Sequence, residues 1–258
     1  MRIDTKNGLT RYRFENLSGY RQVFHGFFTR SGGSSSEPFN SLNVGLGLGD
    51  DTRRVAENRE RVARFFGLGR LHFSQQVHGI EIWIDPGPNT ASKGRRPGIP
   101  TGDAMVTNRL GRALAIQVAD CQAVLLFDTR KNIVANIHSG WRGSIRNIVG
   151  RTVAEMNKRF SCRSDDLVAG ISPSLGPCCA EFVNYKREIP KRFWKYGDGN
   201  RRFDFWALTR DQLLHAGVRK DRIETGGLCT RCRKNLFFSY RGEGVTGRTA
   251  AVIGLKPG

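Results

Sequence analysis

Two apolar runs in the middle of the chain, Ala123–Asp128 and Ile133–His138, are separated only by Thr129-Arg130-Lys131-Asn132. A connection this short between strand-like segments is a hairpin loop. If Asp128 faces Ile133, antiparallel pairing puts Ala123 opposite His138. His138 then returns beside Cys121, although 17 positions separate them in the chain. Cys121 closes the turn Ala119-Asp120-Cys121, which joins the strand candidate Ala113–Val118 to the hairpin. Both side chains stand at one edge of a sheet, where rigid strand ends project groups into a cleft.

Gln75-Gln76-Val77-His78-Gly79 offers a third group, a histidine before the strand candidate Ile80–Ile84. Two imidazoles and one thiolate suit zinc, and three protein ligands leave a fourth position open, as catalytic sites require. On spacing alone the competing reading is two hydrogen-bonded loop histidines beside an inert buried cysteine. Ser139-Gly140-Trp141-Arg142-Gly143 follows His138 and leads into an apolar stripe: Ile145, Ile148, Val149, Thr152, Val153, Met156 and Phe160. That spacing predicts one long helix whose amino end faces the same edge, an anion site to which Arg142 adds a planar donor fork. The alternative is that the two glycines only shape a tight turn. His25 and His72 read as surface or core-edge residues, and His215 as a polar helix end.

Other elements follow from period and punctuation. A helix capped by Asp51 or Thr52 runs through Phe66 to Gly67, and a weaker one covers Phe205–Ala216. Strand candidates are Ala104–Thr107, Leu167–Ile171 and Ala250–Leu255. Loops are expected at Ser31–Pro38, Pro86–Thr101 and Tyr196–Arg202. Gly45–Asp50 lacks the spacing and frame of a dinucleotide fingerprint, so it reads as a loop. Nothing resembles an interdomain linker, which makes residues 1–258 a single α+β domain with mixed, layered sheets.

Composition limits the function classes. The chain of 258 residues carries 25% charged and 10% aromatic residues, which excludes extensive disorder. No apolar run is long enough to cross a membrane. The start Met1-Arg2-Ile3-Asp4-Thr5-Lys6 lacks a secretory apolar core, so the cytoplasm is the expected address. The net charge of +19 invites a nucleic-acid reading, but the doublets Arg53-Arg54, Arg95-Arg96 and Arg201-Arg202 are scattered. A solvated basic surface is the simpler account, and phosphate-bearing substrates would still profit from its field. Of six cysteines, Cys229 and Cys232 have CxxC spacing without a second such pair. Cys178 and Cys179 are adjacent and could replace one only with strain, so no structural zinc is expected there.

Nine motifs in order carry a resemblance to a known family. They are His25-Gly26-Phe27-Phe28-Thr29-Arg30, Ser41-Leu42-Asn43-Val44-Gly45, Asn58-Arg59, Gln76-Val77-His78-Gly79 and Gly102-Asp103-Ala104. Ala119-Asp120-Cys121, His138-Ser139-Gly140-Trp141-Arg142-Gly143, Gly176-Pro177-Cys178-Cys179 and Phe237-Phe238-Ser239-Tyr240-Arg241 complete the set. Together they resemble the laccase-domain (multicopper polyphenol oxidase, YfiH/YlmD-like) family, whose members are described as purine nucleoside phosphorylases. The resemblance implies a layered α/β sandwich similar to the cytotoxic necrotizing factor catalytic domain. It also implies a metal and catalytic cluster at His78, Cys121 and His138. Ser172, Gln122-Ala123, Ala180 and Arg241-Gly242-Glu243 depart from the family pattern and bear on pocket shape. A four-copper oxidase is not expected. It would need a His₂Cys centre plus a trinuclear cluster rich in His-x-His pairs, and this chain has five histidines and no such pair.

The resemblance implies a zinc enzyme phosphorolysing inosine, adenosine or methylthioadenosine and deaminating adenosine, which the residues alone would not suggest; copper could displace zinc in vitro. Arg142, Arg30, Asn43, Arg59 and Asp103 are the expected substrate or phosphate contacts. Asp103 is a candidate general acid at purine N7 or a ribose contact, with a plain turn aspartate as the alternative. A rival enzyme reading makes Cys121 a thiolate nucleophile paired with His138. The family resemblance implies that such an amidase would edit L-serine-containing UDP-muramoyl precursors. A basic nucleic-acid-binding protein is the alternative of another class. No membrane partner is expected, and the chain reads as a monomer or weak dimer.

Overall fold

The structure, a computed structural model, describes residues 1–85 and 99–257. Most of the loop expected over 86–101, with Arg95-Arg96, lies outside the described residues. Among the described residues, twelve strands form two mixed six-stranded sheets. The strands are β1 (Arg2–Lys6), β2 (Leu9–Arg13), β3 (Val23–Phe28), β4 (His72–Phe73), β5 (Ile82–Ile84) and β6 (Ala104–Thr107). They continue with β7 (Ala113–Val118), β8 (Gln122–Asp128), β9 (Ile133–Ser139), β10 (Leu167–Ile171), β11 (Ile223–Thr225) and β12 (Thr249–Leu255). One sheet has the order β1-β2-β3-β12-β7-β4, the other β11-β10-β8-β9-β6-β5. The helices are α1 (Glu15–Ser18), α2 (Thr52–Phe65), α3 (Trp141–Ile145), α4 (Ile148–Phe160), α5 (Tyr185–Glu188), α6 (Phe205–His215) and α7 (Tyr240–Glu243).

The sheets pack face to face because their strands alternate between two apolar environments. In β8, Leu125 and Phe127 turn inward to meet Phe27, Leu114, Ile116 and Ile253 of the facing sheet. Val124 and Leu126 turn outward and are covered by Ile148, Val149, Val153 and Met156 of α4 and Leu213 of α6. On the far side α2 lays Val62 and Phe65 over Phe28, Ala113, Ala115 and Val252. Strands covered on both faces read as near-continuous apolar runs, which is why β7, β8, β9 and β12 stand out in the sequence. Asn136 is the polar tie between the layers: its amide donates to the carbonyls of Leu114 and Ala251, each at 2.9 Å.

The expected hairpin is present in the expected register, with Asp128 opposite Ile133 and Ala123 opposite His138. The expected continuous helix after His138 is not. α3 ends after five residues, and Asn147, in the left-handed region at φ 57°, caps a separate α4 by accepting from the Gly150 N–H. The Asn147 N–H is taken by the Ser144 carbonyl at 3.0 Å, and α4 begins beside Arg146 and Arg151, away from Cys121. The helix end that faces Cys121 after His138 is therefore that of the five-residue α3, capped by Gly140, and it lacks the dipole of the long helix expected there. The strands β1 to β4 and β11 are not legible in the sequence. β1 is largely exposed along its length, and β3 is interrupted by His25-Gly26 in an otherwise apolar run.

His25 is buried at 2% exposure, and its Nε2 accepts from the Phe14 N–H at 2.9 Å. Burial, then the nearby Arg11 and Arg13, lower its pKa to about 3. An unfolded histidine titrates near ~6.5. Between those values only the unfolded chain takes up the proton, so stability falls as pH drops below the unfolded value, until the folded ring protonates. This residue should contribute a slope of about 1.4 kcal/mol per pH unit. Denaturant unfolding from pH 7 to 4 should show it, and His25→Gln, which keeps an acceptor but does not titrate, should flatten the profile.

Candidate active site

Three elements deliver the expected trio. His138 lies near the end of β9, buried at 2% exposure. Cys121 precedes β8 in the turn where Asp120 takes a positive φ of 87°. His78 sits in the loop before β5 with its own φ at 56°. Their ligand atoms all lie within 4.8 Å of one another, and the two imidazole rings stand edge to face at 4.7 Å. Gly140 closes the floor, since a Cβ there would lie 3.1 Å from the Cys121 sulfur and 3.2 Å from His78 Cδ2.

Asp103 is what fixes this arrangement. Its carboxylate accepts from His138 Nδ1 at 2.8 Å and from the backbone N–H groups of Val77, His78 and Gly79 at 3.2, 2.9 and 2.8 Å. Desolvation works against the charge, but these donors outweigh it and hold the carboxyl below its ordinary range. A buried, ionised carboxylate with all its neighbours donating has no proton to give and no face toward a ligand. The expected roles of Asp103 as general acid or ribose contact are therefore corrected to positioning. With Nδ1 held by Asp103, Nε2 of His138 is the nitrogen left toward Cys121, and it would ligate a metal ion once its proton is displaced. Desolvation opposes charge on both partners of the Cys121–His138 pair, yet their mutual attraction prevails. The thiol is pushed down and the imidazole, helped by Asp103, is pushed up.

The trio lies where two cavities meet. One, of about 300 Å³, is walled by Gln122, Trp141, Arg142, Ala180, Phe182, Phe205, Tyr240 and Arg241. The other, of about 420 Å³, is walled by Gly45, Leu46, Leu48, Gln76, Gln117, Tyr240 and Arg248. A larger cavity of about 950 Å³ between α4 and α6 contains none of the trio. Arg142 is exposed on the first wall, stacked on the Trp141 ring at 4.3 Å. The remaining expected contacts are elsewhere. Arg30 donates to Glu243 at 2.7 Å and to the carbonyls of Asn40 and Lys234, and it stacks on Phe238. Arg59 donates to the Val44 carbonyl at 2.8 Å and covers Phe73, with burial lowering its pKa to about 10. Asn43 is fully buried, and its side chain binds the N–H groups of Gly45 and Arg248, shaping the second wall from behind. All three are corrected from ligand contacts to structural supports.

Residues that sequence reasoning misses are as informative. Gln122 is 2% exposed; its Oε1 accepts from Thr209, while its buried Nε2 has no partner among the described residues. Its departure from the family pattern is the one signal the sequence offers. Arg248, ahead of β12, carries no pattern that would place it on the wall. His72 meets Arg112, His215 bonds the Asp211 carbonyl and His25 is used in the core, so no second histidine cluster forms among the described residues. Cys178, Cys179, Cys229 and Cys232 converge on one another, contrary to expectation. Replacing Asp103 by Asn should preserve the size of the side chain but weaken its grip on His138. Metal affinity, measured by competition with a chelator, should then fall by roughly 10–100-fold.

Comparison with known proteins places this geometry in a family. Residues 24–256 match the family described as multi-copper polyphenol oxidoreductase laccase. Purine nucleoside phosphorylase YlmD of Geobacillus stearothermophilus is 34% identical over 245 residues, covering 90% of this chain and 89% of that protein. Purine nucleoside phosphorylase YfiH of Escherichia coli is 33% identical over 239 residues, covering 88% and 91%. The solved structure of hypothetical protein YfiH from Bacillus licheniformis aligns with a TM-score of 0.84 at 30% identity, covering 98% of this chain and 99% of that one. Sequence motifs, overall fold and the matched span agree: the chain belongs to the multi-copper polyphenol oxidoreductase laccase family, alongside YfiH and YlmD.

Proposed function

We propose that this chain is a zinc enzyme acting on purine nucleosides with inorganic phosphate, and that His78, Cys121 and His138 hold the metal. The observation that carries the reading is the convergence of those three ligand atoms within 4.8 Å at the junction of two cavities. The donor set fits the ion: two imidazoles and a thiolate, one imidazole oriented by a carboxylate, with the glycine at 140 leaving the space above them clear. When bound, zinc supplies Lewis acidity and lowers the pKa of water toward neutrality. Copper suits the same donors in vitro. The relatives' names as purine nucleoside phosphorylases supply the substrate class.

Phosphorolysis breaks the bond from ribose C1′ to the purine nitrogen, forms a bond from C1′ to a phosphate oxygen, and releases the purine with a proton. The chain's own groups suit that exchange. Trp141, Phe182 and Phe205 offer an aromatic wall for a base, and the free amide of Gln122 offers a donor to one of its nitrogen or oxygen acceptors. Arg142 and Arg241 present planar guanidinium groups to phosphate from the same wall. Inosine, adenosine and methylthioadenosine meet this description. Deamination of adenosine, in which water replaces the C6 amino group and ammonia leaves, is proposed for the same cleft. The core shared by both sheets underlies our reading of the chain as one domain. The names carried by YlmD and YfiH favour neither an amidase nor a nucleic-acid-binding protein, which leaves the nucleoside reading ahead of both alternatives.

Chromatography of reactions with inosine and adenosine, with and without phosphate, tests the proposal. Hypoxanthine or adenine should appear only with phosphate, and Cys121→Ala should abolish it. Absence of purine release by zinc-replete protein would sink the reading. Gln122→Leu should raise KM by roughly tenfold, the loss of about one hydrogen bond to a buried partner.

A further inference from the structure

The nucleoside reading leaves five cysteines unused, and all of them but the buried Cys162 meet at one corner of the fold. Cys178 and Cys179 lie in the turn after Gly176, and Cys229 and Cys232 lie in the turn after Leu228. All four are free thiols, and their sulfurs lie within 4.8 Å of one another. Cys232 stands 3.7 Å from Cys178 and 3.5 Å from Cys179. In a tetrahedral thiolate site with zinc–sulfur bonds of about 2.3 Å, the sulfurs are spaced about 3.8 Å apart. A disulfide would bring two of them to about 2.05 Å and leave the others out. Here Cys232 is shared almost equally between two neighbours, which is the pattern of a coordination shell.

The strain expected of adjacent cysteines does not arise, because the backbone turns beneath them. Cys179 and Ala180 both donate their N–H groups to the Gly176 carbonyl at 2.9 Å, closing a tight turn around Cys178 and Cys179. Arg233 donates to the carbonyls of Cys229 and Thr230, so Cys229 and Cys232 lie three apart on one helical turn and share a side. The two turns are already joined, since Thr230 donates to the Ser174 carbonyl at 3.0 Å. Arg231, Arg233 and Lys234 surround the second turn and would offset the negative charge of a four-thiolate shell.

We propose that Cys178, Cys179, Cys229 and Cys232 form a closed, structural zinc site, distinct from the trio around Cys121. Four protein ligands leave no open position, so the ion braces and does not catalyse. On loading, each thiol gives its proton to solvent as its sulfur bonds the metal. The brace ties the segment bearing Leu175, Ala180 and Phe182 to the segment bearing Tyr240 and Arg241, the two sides of one cleft wall. This assignment does not depend on the nucleoside reading.

The test uses the full chain with Cys121→Ala, which empties the other centre. Purified with reductant and dialysed after zinc loading, it should retain one zinc per chain. X-ray absorption should show four sulfurs near 2.3 Å, and the cobalt-loaded form should show thiolate-to-cobalt charge transfer. Adding Cys179→Ser and Cys232→Ser should remove that zinc and the cobalt signature. If the multiple variant does not fold, the absorption spectrum of the Cys121→Ala chain decides alone. A metal-free Cys121→Ala chain with all four thiols reactive, a metal ligated by nitrogen or oxygen, or a disulfide among the four in reductant would overturn the proposal.

Discussion

The carboxylate of Asp103 is the contact on which the candidate site depends. It has no exposure, and it gathers His138 on β9 and the amides of residues 77–79 around one charge. The backbone carbonyl of the same residue accepts the His138 N–H at 2.6 Å, so the strand pairing and the site share an anchor. His78 adopts a left-handed backbone that costs energy for a residue with a side chain, and the hydrogen bond from its N–H to the Asp103 carboxylate offsets it. The framework thus holds both histidines of the site through one ionised group, whose burial is tolerable only because every neighbour donates to it.

Much of this is legible in the sequence because two-sided burial leaves a plain trace. The runs that form β6, β7 and β10 have the bounds expected, and the register of β8 with β9 follows from the length of one loop. The trio can be partly assembled from that register, since geometry alone returns His138 to Cys121. His78 cannot, because its approach depends on loop backbone that only the donors to Asp103 explain. Edge strands such as β1 escape because an exposed strand has no apolar alternation to read. The break at Asn147 escapes because the apolar stripe continues through it, while the left-handed cap interrupts the backbone.

The arginines show where residue type misleads. Arg30 and Arg59 are plausible anion ligands by motif, but each is held by carbonyl acceptors and an aromatic ring, and neither lines the cavities beside the trio. A sequence displays donors without displaying the acceptors that compete for them. The same blindness runs the other way for the cysteines, where adjacency suggests strain and the turn at Gly176 removes it. Gln122 lies between these cases: it breaks a pattern visibly, yet only the structure shows one end of its amide held and the other free.

The position of β12 has a consequence for how the protein is made. Residues 249–255 lie in the interior of a sheet, between β3 and β7, and Arg248 just ahead of them walls the cleft. A nascent chain that has not yet released this strand exposes the open edges of β3 and β7, with Phe27, Leu114 and Ile116 beside them. The two halves of that sheet are therefore joined only once residues 249–255 are in place, and the strand that joins them also sets Arg248 on the cleft wall.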